Sequence, residues 1–459
     1  MRVYLTSDHV FSLSKPFVIT AIIMLLIGSV VGSFWMMAIF GVILPEAIAR
    51  TTNLHTFLQF DGFITLMVMG ISYMIIPRFR NISIPSVNLA YTSYALILIS
   101  IILSILTEIS FWKDNTGPFL ANICRILGVS IFCILITITL RTRPKLLKMT
   151  DFFIGLSIIL FAFLTVFHTL NYNEIKHNVL LWLMFPVMMI FGIEYKTLPS
   201  FIGFIWPRKT LSIISAALLT LSVGSGIASS FYNDDLIVNV LFRSSFLVGT
   251  VAFICALNIF AGFNTNDILK LSKGEKRARY KYTLVVSKLS FAFLLIGITL
   301  SNISGLVTTL FALYDLWIHI IAVGFIGLTV ALYLPLMLSP ILGRPIRFSY
   351  FSKLPIWLII ISLNVRTFGD VLVQVVSEFH TSTTFQYLAI PFSLSGWMIV
   401  SAILFFMFMI HRSMNVATQI FREDERHLSN IWWFNNQLSI DCPKSIYDRR
   451  VNILQEKFE

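Results

Sequence analysis

Four histidines fall where a membrane-crossing chain could use them as metal ligands: His55, His168, His177 and His319. Neutral imidazole is the commonest protein ligand for heme iron and also suits copper. Two of the four open a repeated segment. His55–Phe79 (HTFLQFDGFITLMVMGISYMIIPRF) lies without a gap over His177–Phe201 (HNVLLWLMFPVMMIFGIEYKTLPSF). The matches include His55/His177, Gly70/Gly192, Tyr73/Tyr195 and Pro77/Pro199. Apolar composition explains shared Leu, Met, Ile and Phe, but not a His, a Gly, a Tyr and a Pro at common offsets. The repeat therefore predicts a ligand-type residue at the same end of two equivalent helices. A histidine at a helix end also has a plainer use as an interfacial residue. His319 is harder to read that way, because apolar residues flank it.

The elements that must carry these residues are membrane helices. The chain is 57% hydrophobic and 12% charged, with a mean hydropathy of +0.84. A soluble chain of this length lacks the interior to hide so much apolar surface. Apolar runs of about 20 residues, enough to cross a hydrocarbon core about 30 Å thick, recur throughout. They predict an all-α polytopic membrane protein with twelve transmembrane helices, at roughly 17–44, 54–77, 86–107, 118–140, 150–172, 178–204, 210–231, 236–263, 281–303, 310–338, 354–376 and 389–411. Residues 1–16 and 412–459 are then short flanking segments. The start lacks a cleavable-signal pattern, because the first apolar run is too long for one.

Loop charge predicts the orientation. Alternate loops carry clusters such as Arg141, Arg143, Lys145 and Lys148, or Lys270, Lys273, Lys276 and Arg277, whereas the opposite loops carry only Arg50, Lys113 and Lys176. The positive-inside rule places the basic loops and both termini in the cytoplasm. The net charge of +12 is mostly this asymmetry. Such dispersed charge argues against nucleic acid as a partner and leaves the lipid bilayer as the expected one. Cys124, Cys133 and Cys255 fall within spans and Cys442 in the tail, with no CxxC pair to suggest a thiolate site.

On this topology His55, His168, His177 and His319 come from the second, fifth, sixth and tenth spans, and all reach the outer third of the bilayer. Arg125, Arg243 and Arg366 map to the outer half of the fourth, eighth and eleventh spans. A cation there costs several kcal/mol unless an anion compensates it. Asp370 stands one turn from Arg366, and Asp61 and Asp315 lie nearby. The arginines read either as intramembrane Arg–Asp pairs or, with Trp317 near, as partners for heme propionates. Lys288 and Glu194–Lys196 map to the inner half, as a separate proton or anion route or as snorkelling side chains.

Trp317–Pro345, WIHIIAVGFIGLTVALYLPLMLSPILGRP, resembles the tenth helix of the NnrS family through His319, Val323, Gly324, Gly327, Gly343, Arg344 and Pro345. Arg366 resembles the arginine of that family's next helix. His55, Gly62, Phe63, Gly70 and Pro77 keep its helix-2 spacing, and Gly192, Lys196, Pro199 and Phe201 resemble its helix 6, with lysine for arginine. His168 resembles a histidine late in helix 5. Phe57 and Leu58 stand where the family has a second His and a Glu. The resemblance implies a bacterial inner-membrane protein linked to nitric oxide and denitrification, fed by a respiratory electron donor. It also implies a bundle like heme–copper oxidase subunit I, with three repeats of four helices, and heme b and copper as cofactors; His168 and His177 read equally as copper ligands, as residues capping a heme, or as neither. In that bundle the second and tenth helices hold the low-spin heme, so His55 and His319 become its expected axial ligands.

Two other readings remain at this level. A degenerate oxidase-like respiratory subunit is one, although the chain has no His-His pair and no histidine in the seventh span to hold an oxygen-reducing copper. A heme-free twelve-helix transporter is the other, although the repeat period is four helices rather than six. The residues name no reaction.

Overall fold

The computed structural model describes residues 7–39, 52–108, 116–142, 148–170, 179–232, 235–262, 274–306, 311–342, 353–375 and 390–420. Among the described residues there is no β-strand, and twelve helices are long and apolar enough to cross a membrane. They are α1 (Ser7–Ile39), α2 (Thr52–Phe57, continuing through Leu58–Thr65 and Leu66–Arg80), α3 (Val87–Glu108) and α4 (Thr116–Arg141). Next come α5 (Lys148–Leu170), α6 (Val179–Thr197, continuing through Leu198–Ile202), α7 (Lys209–Ser229) and α8 (Leu236–Leu257). The last four are α9 (Gly274–Leu306), α10 (Phe311–His319, continuing through Ile320–Gly327 and Leu328–Leu342), α11 (Leu354–Val375) and α12 (Ser395–Ile420). The protein is an all-α polytopic membrane protein. His177, Gly343, Arg344, Pro345 and the tail after 420 lie outside the described residues.

The helices sort into central and peripheral. In α2 and α6, 83% of the most apolar window is buried, against 28% in α3. The two copies of the repeat are therefore the inner helices, walled off from lipid by their neighbours. Peripheral helices turn Phe119, Leu127, Ile134, Ile159 and Ile237 outward, as a surface in hydrocarbon requires.

The residues shared by the two copies do the same job twice. A Cβ at Gly70 would come within 2.7 Å of Phe17 Cβ on α1, and one at Gly192 within 2.6 Å of Ile154 Cγ1 on α5. Each glycine thus lets its helix close on the preceding one, the usual use of small residues between membrane helices. The tyrosines reach the following helix: the Tyr73 hydroxyl lies 3.0 Å from Ser93 Oγ on α3, and that of Tyr195 donates to Ser212 Oγ on α7 at 2.9 Å. In α10, Gly324 closes on Phe293 of α9 (2.9 Å to Cβ). The contacts of α1–α3 thus recur in α5–α7, a period of four helices.

Candidate functional site

His55 sits in the first turn of α2 and His319 at the end of the first segment of α10. Their ring centres are 6.5 Å apart and the ring planes are 15° from parallel. Each ring is oriented through Nδ1, His55 donating to the Gly28 carbonyl of α1 and His319 to the Asp315 carbonyl one turn back, both at 2.8 Å. A carbonyl oxygen only accepts, so in the neutral ring Nδ1 carries the proton and Nε2 keeps its lone pair. This is the tautomer that ligates metal through Nε2, with the backbone as orienting partner. Neither Nε2 has a hydrogen-bond partner among the described residues.

The spacing can be tested against one metal held between two imidazoles. With metal–nitrogen bonds of about 2 Å, the ring centres fall about 6 Å apart on opposite sides of the metal. The observed 6.5 Å fits that arrangement and leaves room for one planar macrocycle between the rings. Both histidines line a cavity of about 1200 Å³ that reaches from Asn53 at one end of the bundle to Leu334 and Phe406 deeper inside. Its wall is largely apolar, with Phe60, Ala322, Leu363 and Ile399 among its residues. The volume exceeds a typical small-ligand site and suits a large apolar cofactor.

Local backbone explains why the rings stand there. A π-helical segment starts just past His55 (Leu58–Thr65), and another starts with the residue after His319 (Ile320–Gly327). Wide turns of this kind re-aim side chains and recur at functional sites. On α1, a Cβ at Gly32 would lie 2.5 Å from His55 Cε1, and one at Gly28 would lie 2.8 Å from Gln59 Nε2. The Gly28-x-x-x-Gly32 pair is therefore the seat of the His55 ring. The small-xxx-small spacing was a readable signal that the ligand-type residues alone did not reveal.

Charges ring the cavity in pairs. Arg125 meets Asp61 at 3.3 Å, and Arg366 meets Asp315 at 2.5 Å, with Asp370 3.7 Å from its Nε. These four partners, Arg125, Asp61, Arg366 and Asp315, all line the cavity. The expected Arg366–Asp370 contact exists but is the longer of the two, because Asp315 reaches across from α10. The second oxygen of Asp315 lies 3.3 Å from His319 Nδ1, so the carboxylate bridges an arginine and a candidate ligand. A guanidinium has five N–H donors, and Arg366 keeps a buried Nε–H without a hydrogen bond.

The other expected site residues lie elsewhere. Arg243 donates from α8 to the Ser301 carbonyl of α9 and packs on Gly305; it does not line the cavity. Trp317 is 2% exposed, edge-on to Tyr314 at 5.6 Å, and also lies off the cavity wall. His168 is in the last turn of α5, and its side chain lies outside the described part. No group of three or more His, Cys, Asp or Glu among the described residues could hold a bare metal ion.

The space among α6, α8, α9 and α10 is filled. Phe191 stacks on Phe253 at 3.9 Å and 6°, and Phe291 meets Phe325 at 5.2 Å. A second macrocycle has no room there without displacing this cluster. No family model matches this chain, and no curated protein matches it.

Proposed function

We propose that this protein is an integral membrane heme protein, with one b-type heme held between His55 and His319. The observation that carries the proposal is the pair of near-parallel imidazoles 6.5 Å apart, each tied at Nδ1 and presenting Nε2. Two polar rings facing each other across a gap in an apolar bundle have no packing rationale of their own, since interiors close most voids larger than a water.

When bound, heme supplies a reversible one-electron change at iron. The chain's own residues do the rest. Gly28 and Asp315 carbonyls fix the tautomers, Gly32 seats the His55 ring, and Arg366 and Arg125 offer positive charge to carboxylate substituents. The Asp315 carboxylate puts negative charge beside His319. Phe60, Leu363 and Ile399 line the cavity and would keep water from a bound heme. A heme held by both His55 and His319 would favour electron transfer or sensing over dioxygen chemistry. The phenylalanine cluster argues the same way, against an oxidase-type second centre.

The resemblance to NnrS proteins adds the finer part of the proposal: a bacterial inner membrane, cytoplasmic termini, nitric oxide as the small gaseous ligand and a respiratory electron donor. The copper of that family rests on the resemblance alone. A heme-free transporter would leave the ring pair without a role.

The test is the visible spectrum of protein purified from heme-replete cells, with a pyridine hemochrome and metal analysis. A Soret band with the sharp visible bands of six-coordinate low-spin iron is expected. His319→Ala should lose the heme or its low-spin signature, and His55→Ala should convert it to a five-coordinate spectrum. Absence of Soret absorbance, or a wild-type spectrum in both variants, would overturn the assignment.

A further inference from the structure

A second buried polar cluster lies toward the basic end of the bundle, and none of its members lines the histidine cavity. Glu194 of α6 is 2% exposed, and neither of its carboxyl oxygens has a hydrogen bond of normal geometry. The hydroxyl of Tyr333, from α10, is the titratable group that faces it. That hydroxyl also lies 2.9 Å from Ser287 Oγ on α9.

No cation pairs with Glu194 among the described residues. Lys196, two positions on, turns away: its Nζ donates to the Phe79 carbonyl at 3.4 Å and lies 4.5 Å from the Phe79 ring centre. Lys288 donates to the Ala261 carbonyl. A bare carboxylate at such a place costs several kcal/mol. The same group holding a proton is neutral and can share one hydrogen bond with Tyr333.

Further hydroxyls lie between it and the basic end. Arg279, Thr283 and Ser287 are four residues apart on α9, so they share one helical face that starts at the basic end. Thr283 is 8% and Ser287 1% exposed. Thr283 Oγ1 donates to the Arg279 carbonyl at 3.0 Å. A hydroxyl donates one proton while accepting another, so Ser287 and Tyr333, 2.9 Å apart, can pass a proton without a net change, and Thr283 stands one turn nearer the basic end.

We propose that Glu194 is a proton-binding site that exchanges with the compartment at the basic end through Ser287 and Tyr333. Its only ligand is H⁺. The carboxylate oxygen forms the O–H bond, and the proton comes from a hydronium ion at the α9 terminus, whose O–H bond breaks to leave water. This site does not depend on heme at His55 and His319.

Dicyclohexylcarbodiimide, an apolar reagent that adds to protonated carboxyls, tests the site on purified full-length protein. A mass adduct at Glu194 is expected, lost in Glu194→Gln. Infrared spectroscopy should show a protonated-carboxyl band that disappears in the same variant and shifts in D₂O. The shift should slow several-fold in Tyr333→Phe/Ser287→Ala, which leaves Glu194 in place and serves if Glu194→Gln does not fold. Three results would overturn the proposal: no adduct and no band in monodisperse wild-type protein; protection of Glu194 by sodium ions, which would mark an alkali-cation site; or unchanged exchange in the double variant. All are read without reference to the Soret band, so failure here leaves the heme assignment separately testable.

Discussion

Arg366 donates from α11 to the Asp315 carboxylate of α10 across 2.5 Å. The pair closes the gap between two helices, and it also holds a negative charge against His319, whose Nδ1 is 3.3 Å from the other carboxylate oxygen. The two expected axial rings are therefore unequal. His319 has an anion behind it, whereas His55 has only the Gly28 carbonyl.

Asp315→Asn should therefore change the heme without removing it. Loss of a nearby negative charge stabilises the reduced, less positive iron, so the midpoint potential should rise, by roughly 50 mV or about 1 kcal/mol. Redox titration of the Soret band measures this. An unchanged potential with an intact spectrum would show that the carboxylate does not sense the iron.

Gly32→Ala should push His55 out of place. The new methyl would lie 2.5 Å from Cε1 and 2.6 Å from Nδ1 of the ring. Heme content should fall, or the low-spin spectrum should give way to a five-coordinate one. Gly224→Ala is the control, because a Cβ there meets nothing within 4 Å. It should leave the spectrum intact.

Gly192→Ala tests the repeat's close approach. Its Cβ would meet Ile154 Cγ1 at 2.6 Å and the Ile154 backbone nitrogen at 3.0 Å, and a backbone atom cannot rotate away. Overpacking of this kind costs about 1–3 kcal/mol. Unfolding of the detergent-solubilised protein should shift to lower temperature. Gly155→Ala, with open space around it, should be neutral or slightly stabilising.

Arg80 of α2 and Asp151 of α5 form an ion pair, with the arginine side chain 1% exposed. Removing the arginine leaves the Asp151 carboxylate, 18% exposed, without its partner, at a cost below the about 3–5 kcal/mol of a fully buried pair. Arg80→Met should therefore lower thermal stability, and Arg80→Met/Asp151→Leu should recover much of the loss. If the double variant is no better than the single, the pair is not what holds these helices together.

Composition and apolar run length were enough to show an all-helical membrane protein, because hydrocarbon admits only segments that satisfy their own backbone. The start of α2 near residue 53 and of α6 near 179 follow from the same runs. The repeat was legible too: Gly70 and Gly192, like Tyr73 and Tyr195, make matching contacts because equivalent neighbours surround them. Periodicity was silent on the π-helical segments after His55 and His319, since a one-residue widening leaves no apolar signature. It was equally silent on Arg366, whose nearer carboxylate comes from another helix rather than from Asp370 on its own.

The chain by itself named residue types able to bind a metal and the crossings that carry them, since apolar run length acts locally along the sequence. Only the tertiary structure decided which of them meet. It brought His55 to His319, seated His55 on Gly32, joined Asp315 to Arg366, and left Arg243 and Trp317 outside. The reason is physical: a side chain's partner across a helix bundle depends on crossing angle and on helical phase. A single π turn or a glycine contact changes those by amounts that no linear pattern records.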